Sequence, residues 1–243
     1  MTSSVNSPPP EAPGYTETAL HFDVEQIPPV LLAALPPGPL ALADLGCGDG
    51  PLFMALTRDG HIGPDRPVWG VDLEATRLER VHRRFPHVST LVAPADAVPT
   101  IASGSLDFVI STMVMEHVPD EVQYLDEVRR LLRPGGRTYL TTVFKRCWAW
   151  YFRKRNGESV LDTSHLREYG DLEAFRDLVM GGGRFRRLLT LELEPMWFPI
   201  LDPLLFRLAQ RSGLGNHPGL LRLLRAPRLP IPGYFAIHVV LEA

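Results

Sequence analysis

Short apolar runs of strand length recur along this chain, separated by segments whose apolar positions follow a helical period. Val30 to Leu35 predicts a short helix closed by Pro36-Pro37-Gly38. Leu40-Ala41-Leu42-Ala43-Asp44-Leu45 then reads as a buried strand that opens onto Gly46-Cys47-Gly48-Asp49-Gly50. Pro51 suits the first helical position, where its missing N–H would have had no partner. Val68 to Asp72 predicts strand two, followed by a helix with Leu78, Val81 and Phe85 on one face. Val88 to Val92 and Leu106 to Ile110 predict strands three and four. From about Asp120, Val122, Leu125, Val128 and Leu132 recur at helical spacing until Pro134-Gly135-Gly136 stops them. Thr138 to Val143 is strand five. A helix is expected near 171–180, and strands near 185–193 and over Tyr234 to Leu241. This alternation predicts an α/β fold with a doubly wound, mainly parallel sheet.

The rhythm fails in three places. Residues 1–13 are polar and proline-rich and read as a disordered tail, leaving 14–243 as a single domain. Residues 144–170 are dense in aromatics and arginine, and 195–232 in proline and leucine; both are too long for ordinary loops and are expected to form a cap. Within the second insertion Leu204, Leu205 and Leu208 lie at helical spacing, favouring a packed cap helix over one lying on a membrane surface.

Composition narrows the classes. A net charge of -3 argues against a mainly nucleic-acid-binding surface. Two cysteines, Cys47 and Cys147, are too few for a disulfide framework, a cysteine-rich zinc site or a cysteine-ligated iron–sulfur cluster. The first basic residue is Arg58, so the charged region of a signal peptide is missing, and no apolar stretch is long enough to span a bilayer. A cytoplasmic protein without stable membrane insertion is expected.

The loop at 46–50 carries the chemistry. In an open parallel sheet, ligands bind beyond the carboxyl ends of the strands, where strand order switches. Glycines there let the backbone approach a ligand closely. The spacing is Gly-x-Gly-x-Gly, not the Gly-x-Gly-x-x-Gly of dinucleotide sites, and Asp44 and Asp49 flank it. Carboxylates repel a pyrophosphate and favour a ligand bearing a sulfonium and an amino group. Asp72, at the end of strand two, is placed to accept hydrogen bonds from ribose hydroxyls, which fits either ligand.

Asp44-Leu45-Gly46-Cys47-Gly48-Asp49-Gly50, Gly70-Val71-Asp72, Ala95-Asp96-Ala97, Ser111 to Val118 and Leu131 to Gly136 resemble, in order, five motifs of the class I S-adenosylmethionine-dependent methyltransferases, in particular the small-molecule group. The resemblance runs from about Leu40 to Val143. It implies a Rossmann-like seven-stranded sheet whose antiparallel last strand, Tyr234 to Leu241, lies beside strand six. It implies S-adenosyl-L-methionine as cofactor, bound by Asp44, Gly46, Cys47, Gly48, Asp72, Leu73, Asp96, Ala97 and Thr112. Asp96 would meet the adenine amino group, and the segment after strand four would line the methyl site.

On the acceptor side, His117 follows strand four and is a candidate general base or the cap of the next helix. His165 lies in the first insertion, where this family often places substrate-facing residues, and is the other candidate base. Trp148 and Tyr151, with Met113, are candidate walls of an acceptor pocket, and no metal is expected. The reaction implied is methyl transfer to an oxygen, nitrogen or carbon of a small, fairly apolar acceptor. The rivals are a non-methylating cyclase or regulatory module on the same fold, methylation of a macromolecule, and a nicotinamide-dependent oxidoreductase. The Asn/Asp-Pro-Pro-aromatic motif of nucleic-acid amino-methylating enzymes is absent after strand four. Neither the acceptor nor an oligomeric state follows from these residues.

Overall fold

A computed structural model describes residues 26–199 and 228–243. The expected tail at 1–13 and the helix around Leu204, Leu205 and Leu208 lie outside the described residues. The elements are α1 (Pro29–Ala34), β1 (Leu42–Leu45), α2 (Phe53–Arg58), β2 (Val68–Asp72), α3 (Ala75–Arg84), β3 (Ser89–Val92), β4 (Leu106–Thr112), α4 (Glu121–Leu131) and β5 (Leu132–Lys145). A small hairpin, β6 (Lys154–Arg155) and β7 (Glu158–Ser159), precedes α5 (Leu172–Met180), β8 (Arg187–Pro199) and β9 (Arg228–Glu242).

Seven strands form one sheet in the order β3-β2-β1-β4-β5-β9-β8. Strands β1 to β5 pair in parallel, whereas β9 runs antiparallel to both β5 and β8. This is the expected α/β sheet with its antiparallel final strand. Successive side chains of a strand point to opposite faces, and the two apolar layers follow from that. Ala41, Ala43 and Leu45 pack with Leu125, Val128 and Phe175 of α4 and α5, while Leu42 packs with Leu31, Phe53 and Val81 of α1, α2 and α3. Strand β4 is buried on both sides, which explains its nearly unbroken apolar sequence.

Four expectations change. Pro51 sits in a turn, and α2 starts at Phe53. On α4 it is Tyr124, not Val122, that joins the buried face: Val122 is 40% exposed and Tyr124 0%. Strand β5 begins at Leu132, directly after α4. Strands β8 and β9 extend to Pro199 and back to Arg228, so they occupy both ends of the expected second insertion.

The first insertion returns to the sheet through a parallel bridge between Phe144 and Tyr169. Its Tyr151 is buried with Val143, Ile231 and Tyr234. No helix among the described residues is long and apolar enough to cross a membrane. Cys47 is buried and Cys147 exposed, and both are free thiols.

Candidate functional site

The chain leaves β1 and β4 on opposite sides of the sheet although the two strands are neighbours, so the switch point lies at their carboxyl ends. The glycine loop sits there. Gly46 and Gly48 have φ of 73° and 54°, which glycine adopts without a Cβ penalty. Gly46 and Cys47 donate their N–H groups to the carbonyl of Val71 at 2.7 and 2.9 Å, which moors the loop to β2. Asp72 completes the cradle. Its Oδ2 accepts from the Gly48 N–H at 2.8 Å and its Oδ1 from the Glu74 N–H at 2.9 Å.

Asp44 is 2% exposed, and its Oδ1 has no hydrogen-bond partner. Burial, reinforced by the neighbouring charge of Asp72, pushes its carboxyl up to about 8. A ligand cation would relieve both penalties, whereas a pyrophosphate would add to them. This orphaned carboxylate fits a sulfonium- and amine-bearing cofactor. Asp49 does not share that role, because it pairs with Arg80 at 3.0 Å.

The remaining cofactor candidates lie around the same rim. Leu73, beyond the end of β2, is 69% exposed and offers bare apolar surface. Asp96 is half-buried in the turn after β3, its carbonyl accepting from Gln123 Nε2 at 3.3 Å, and Ala97 beside it is exposed. Thr112 closes β4.

Past Thr112 the chain turns sharply. Met113 has a φ of 57°, a left-handed conformation that costs a non-glycine residue about 1–3 kcal/mol. Its N–H donates to the Thr141 carbonyl at 2.9 Å. The turn lays Val114 over the glycine loop, so close that a Cβ on Gly46 would lie 2.3 Å from Val114 Cγ2. Met113 itself packs against the Tyr151 cluster of the insertion. Two of the candidate acceptor walls therefore meet; Trp148, 64% exposed, does not join them. It lines instead an open cavity of about 660 Å³ with Lys145, Arg146, Trp150 and Lys154.

The two candidate histidines come together, with ring centroids 4.8 Å apart and edge-on packing. His165 is buried rather than at a surface helix start, and its Nδ1 lies 3.0 Å from Glu168 Oε1. His117 is exposed and does not cap α4; Asp120 does, accepting from the Val122 and Gln123 N–H groups. Partial desolvation, helped by His165, lowers the pKa of His117.

Three residues of this region were not singled out by sequence reasoning. Glu116 is fully buried, its Oε2 accepting from Thr142 Oγ1 at 2.8 Å, and burial raises its pKa. Arg167 donates to the carbonyls of Met115, Val118 and Pro119 and pairs with Glu121 at 2.7 Å. Glu168 orients His165. Glu116 stands within a motif segment, but an acid beside a histidine in a loop carries no periodic signal. Arg167 and Glu168 gain their partners only when the insertion folds back.

Residues 43–140 match the family described as "Methyltransferase domain". With the glycine cradle and the strand order, that match decides the family. Residues 43–140 form a class I S-adenosylmethionine-dependent methyltransferase domain. The family's cofactor is S-adenosyl-L-methionine. The methyltransferase domain is 31% identical over 126 residues to a ubiquinone biosynthesis O-methyltransferase of Pectobacterium atrosepticum, covering 49% of this chain and 48% of that protein. It is 33% identical over 99 residues to a thiol S-methyltransferase of Homo sapiens, covering 41% of each. The chain thus spans about half or less of the length of these curated relatives. In fold it is similar to the crystal structure of a [4+2]-cyclase, SpnF, with a TM-score of 0.59 and 16% identity over 88% of this chain and 77% of that one.

Proposed function

We propose that this methyltransferase moves the methyl group of S-adenosylmethionine to an oxygen, nitrogen or carbon of a small, fairly apolar organic acceptor. One observation carries the reading: consecutive residues of one turn touch both halves of the site. Val114 covers Gly46 of the glycine loop while Met113 packs into the Tyr151 cluster of the insertion. A methyl donor on the loop and an acceptor under the insertion would thus meet across a single turn, which is the alignment that displacement requires.

Bound S-adenosylmethionine supplies an electrophilic methyl on a sulfonium; the acceptor's lone pair takes the methyl as the C–S bond breaks, releasing S-adenosylhomocysteine and, from an X–H acceptor, one proton. Asp44 and Asp72 hold the cationic and ribose ends of the cofactor in this reading, with Gly46, Cys47, Gly48 and Thr112 forming its bed. Leu73, Asp96 and Ala97 face its adenine side. Met113, Tyr151 and the insertion exclude water from the reacting atoms. Trp148 belongs to the entrance. Where the acceptor must lose its proton, His117 of the turn and His165 of the insertion, packed ring to ring, are there to take it. The apolar cluster of Met113, Tyr151 and Tyr234 suits a small organic acceptor, and the ubiquinone and thiol enzymes among the relatives act on such molecules.

The test is methyl transfer from labelled S-adenosylmethionine to a panel of phenols, amines and carbon acids, with bulk tRNA and protein alongside. Label in a small acceptor with release of S-adenosylhomocysteine supports the reading. Label confined to tRNA or protein, or a product formed while one cofactor per chain stays intact, overturns it.

A further inference from the structure

Methyl transfer as read above uses His117 and His165 only to receive a proton and gives Glu116 no task. Yet one ligand atom from each of Glu116, His117 and His165 lies within 4.8 Å of the others. Glu116 is 0% exposed and its Oε1 has no hydrogen-bond partner. Among the described residues it forms no ion pair with lysine or arginine, and the carboxylate of Glu168 lies in the same region. A buried, half-satisfied carboxylate is costly unless a cation meets it.

The histidine beside it is set up to help. His165 Nδ1 faces Glu168 Oε1 at 3.0 Å, and that oxygen also accepts from the Leu161 N–H at 2.7 Å. A carboxylate on Nδ1–H fixes the tautomer that leaves Nε2 as a lone-pair donor. Thr142 does the equivalent for Glu116 by donating to Oε2, leaving Oε1 open. His117 is the exposed member of the three.

We propose that Glu116, His117 and His165 bind one divalent transition-metal ion of the zinc, cobalt or iron class beside the methyl site. Two imidazoles and one carboxylate suit these ions and leave coordination positions open. Magnesium and calcium prefer all-oxygen shells. The sequence led to no metal being expected, because its three ligands come from a loop and an insertion that meet only in the fold. The inference rests on the reading that this turn faces the acceptor. An ion there binds the acceptor's oxygen or nitrogen and lowers the pKa of its proton, which passes to solvent. The histidines then serve as ligands rather than bases.

The experiment uses the full chain, stripped with chelator and titrated with Zn²⁺ by calorimetry and with Co²⁺ by visible absorption, without acceptor. One ion per chain is expected. Glu116→Gln and His165→Ala should weaken it at least ~100-fold, and Glu168→Gln by about 10–100-fold, the usual effect of removing a group that orients a ligand. S-adenosylhomocysteine affinity, measured in parallel, should stay at the wild-type value in all three, showing that the fold is intact. If a buried variant loses cofactor binding, His117→Ala decides, because its exposed side chain can be removed without opening the core; it must weaken Co²⁺ binding and change the Co²⁺ spectrum. Absence of a stoichiometric ion in the wild-type chain overturns the proposal, as does unchanged affinity in variants that still bind cofactor. Metal binding without any S-adenosylmethionine binding would instead refute the proposed function and leave this site standing.

Discussion

Gly46 has no room for a side chain because Val114 occupies the space: a Cβ built there would lie 2.3 Å from Val114 Cγ2. The glycine loop and the turn after β4 are thus packed backbone to side chain, and each fixes the other.

Gly46→Ala therefore carries two penalties. A left-handed φ costs an L-residue about 1–2 kcal/mol, and overpacking costs about 1–3 kcal/mol. The variant should lose about 2–5 kcal/mol in chemical denaturation. Adding Val114→Ala should recover only the overpacking share, giving a coupling of about 1–3 kcal/mol in the double-mutant cycle. Strictly additive losses would show that the two loops are not in contact.

Asp72→Ala removes the acceptor for the Gly48 and Glu74 N–H groups together with the proposed ribose contact. Hydrogen bonds to a charged group are worth about 1.5–3 kcal/mol each, so S-adenosylmethionine and S-adenosylhomocysteine affinities should fall by at least ~10-fold in calorimetry. Wild-type affinity in this variant, or tight NAD binding by the parent, would return the loop to the dinucleotide reading.

Asp44 makes the stability of the ligand-free protein pH-dependent. Its carboxyl titrates at about 8 when folded and at the ordinary 3.8 when unfolded. Between those values the unfolded chain has released a proton that the folded chain keeps, so its contribution lowers stability as pH rises from 3.8 towards 8. Below that window both states hold the proton, and above it neither does. Asp44→Asn should flatten this slope and raise Tm at pH ~8, while weakening cofactor binding because the compensating charge is gone. A slope that persists in Asp44→Asn would assign it to other groups.

Arg167 ties the insertion to the turn by its bonds to three carbonyls. Arg167→Ala should cost about 1.5–3 kcal/mol and raise KM for the acceptor, leaving cofactor affinity intact. Arg167→Lys should behave like the alanine variant, because an ammonium lacks the planar fork. Full rescue by lysine would mean that charge alone matters.

Tyr151 and Trp148 separate packing from access. Tyr151→Ala opens the buried cluster and should cost about 3–5 kcal/mol. Trp148→Ala, at an exposed position, should stay within about 0.5 kcal/mol of wild type and change only the acceptor's KM. Equal destabilisation by both would place Trp148 in the core.

What the sequence revealed follows the range of the forces involved. β2 was readable to the residue, because a run of apolar side chains in the sheet's middle is a local property. The placement of Asp44, Gly46 and Asp72 at the carboxyl ends of β1 and β2 was readable because each ends a local apolar run. Val122 was misassigned, because the buried face runs through Tyr124, Leu125, Val128 and Leu131, and a phenol ring fills apolar space there as an aliphatic side chain would. Asp49 was given a charge role that Arg80, a helix away, cancels. Glu116, Arg167 and Glu168 escaped notice because their partners lie across the insertion, and no periodicity marks a contact of that kind.

The antiparallel β9 lies between β5 and β8, pairing Arg137 with Glu242 on one side and Arg187 with the same residue on the other. β8 thus has no strand beside it until β9 has threaded into place. Pairing of β9 with β5 closes contacts of long sequence separation, which slow folding. During synthesis, the residues up to β8 emerge before the strand that seats them. Over that interval β5 exposes an unpaired apolar edge, where capture by a chaperone would compete with aggregation.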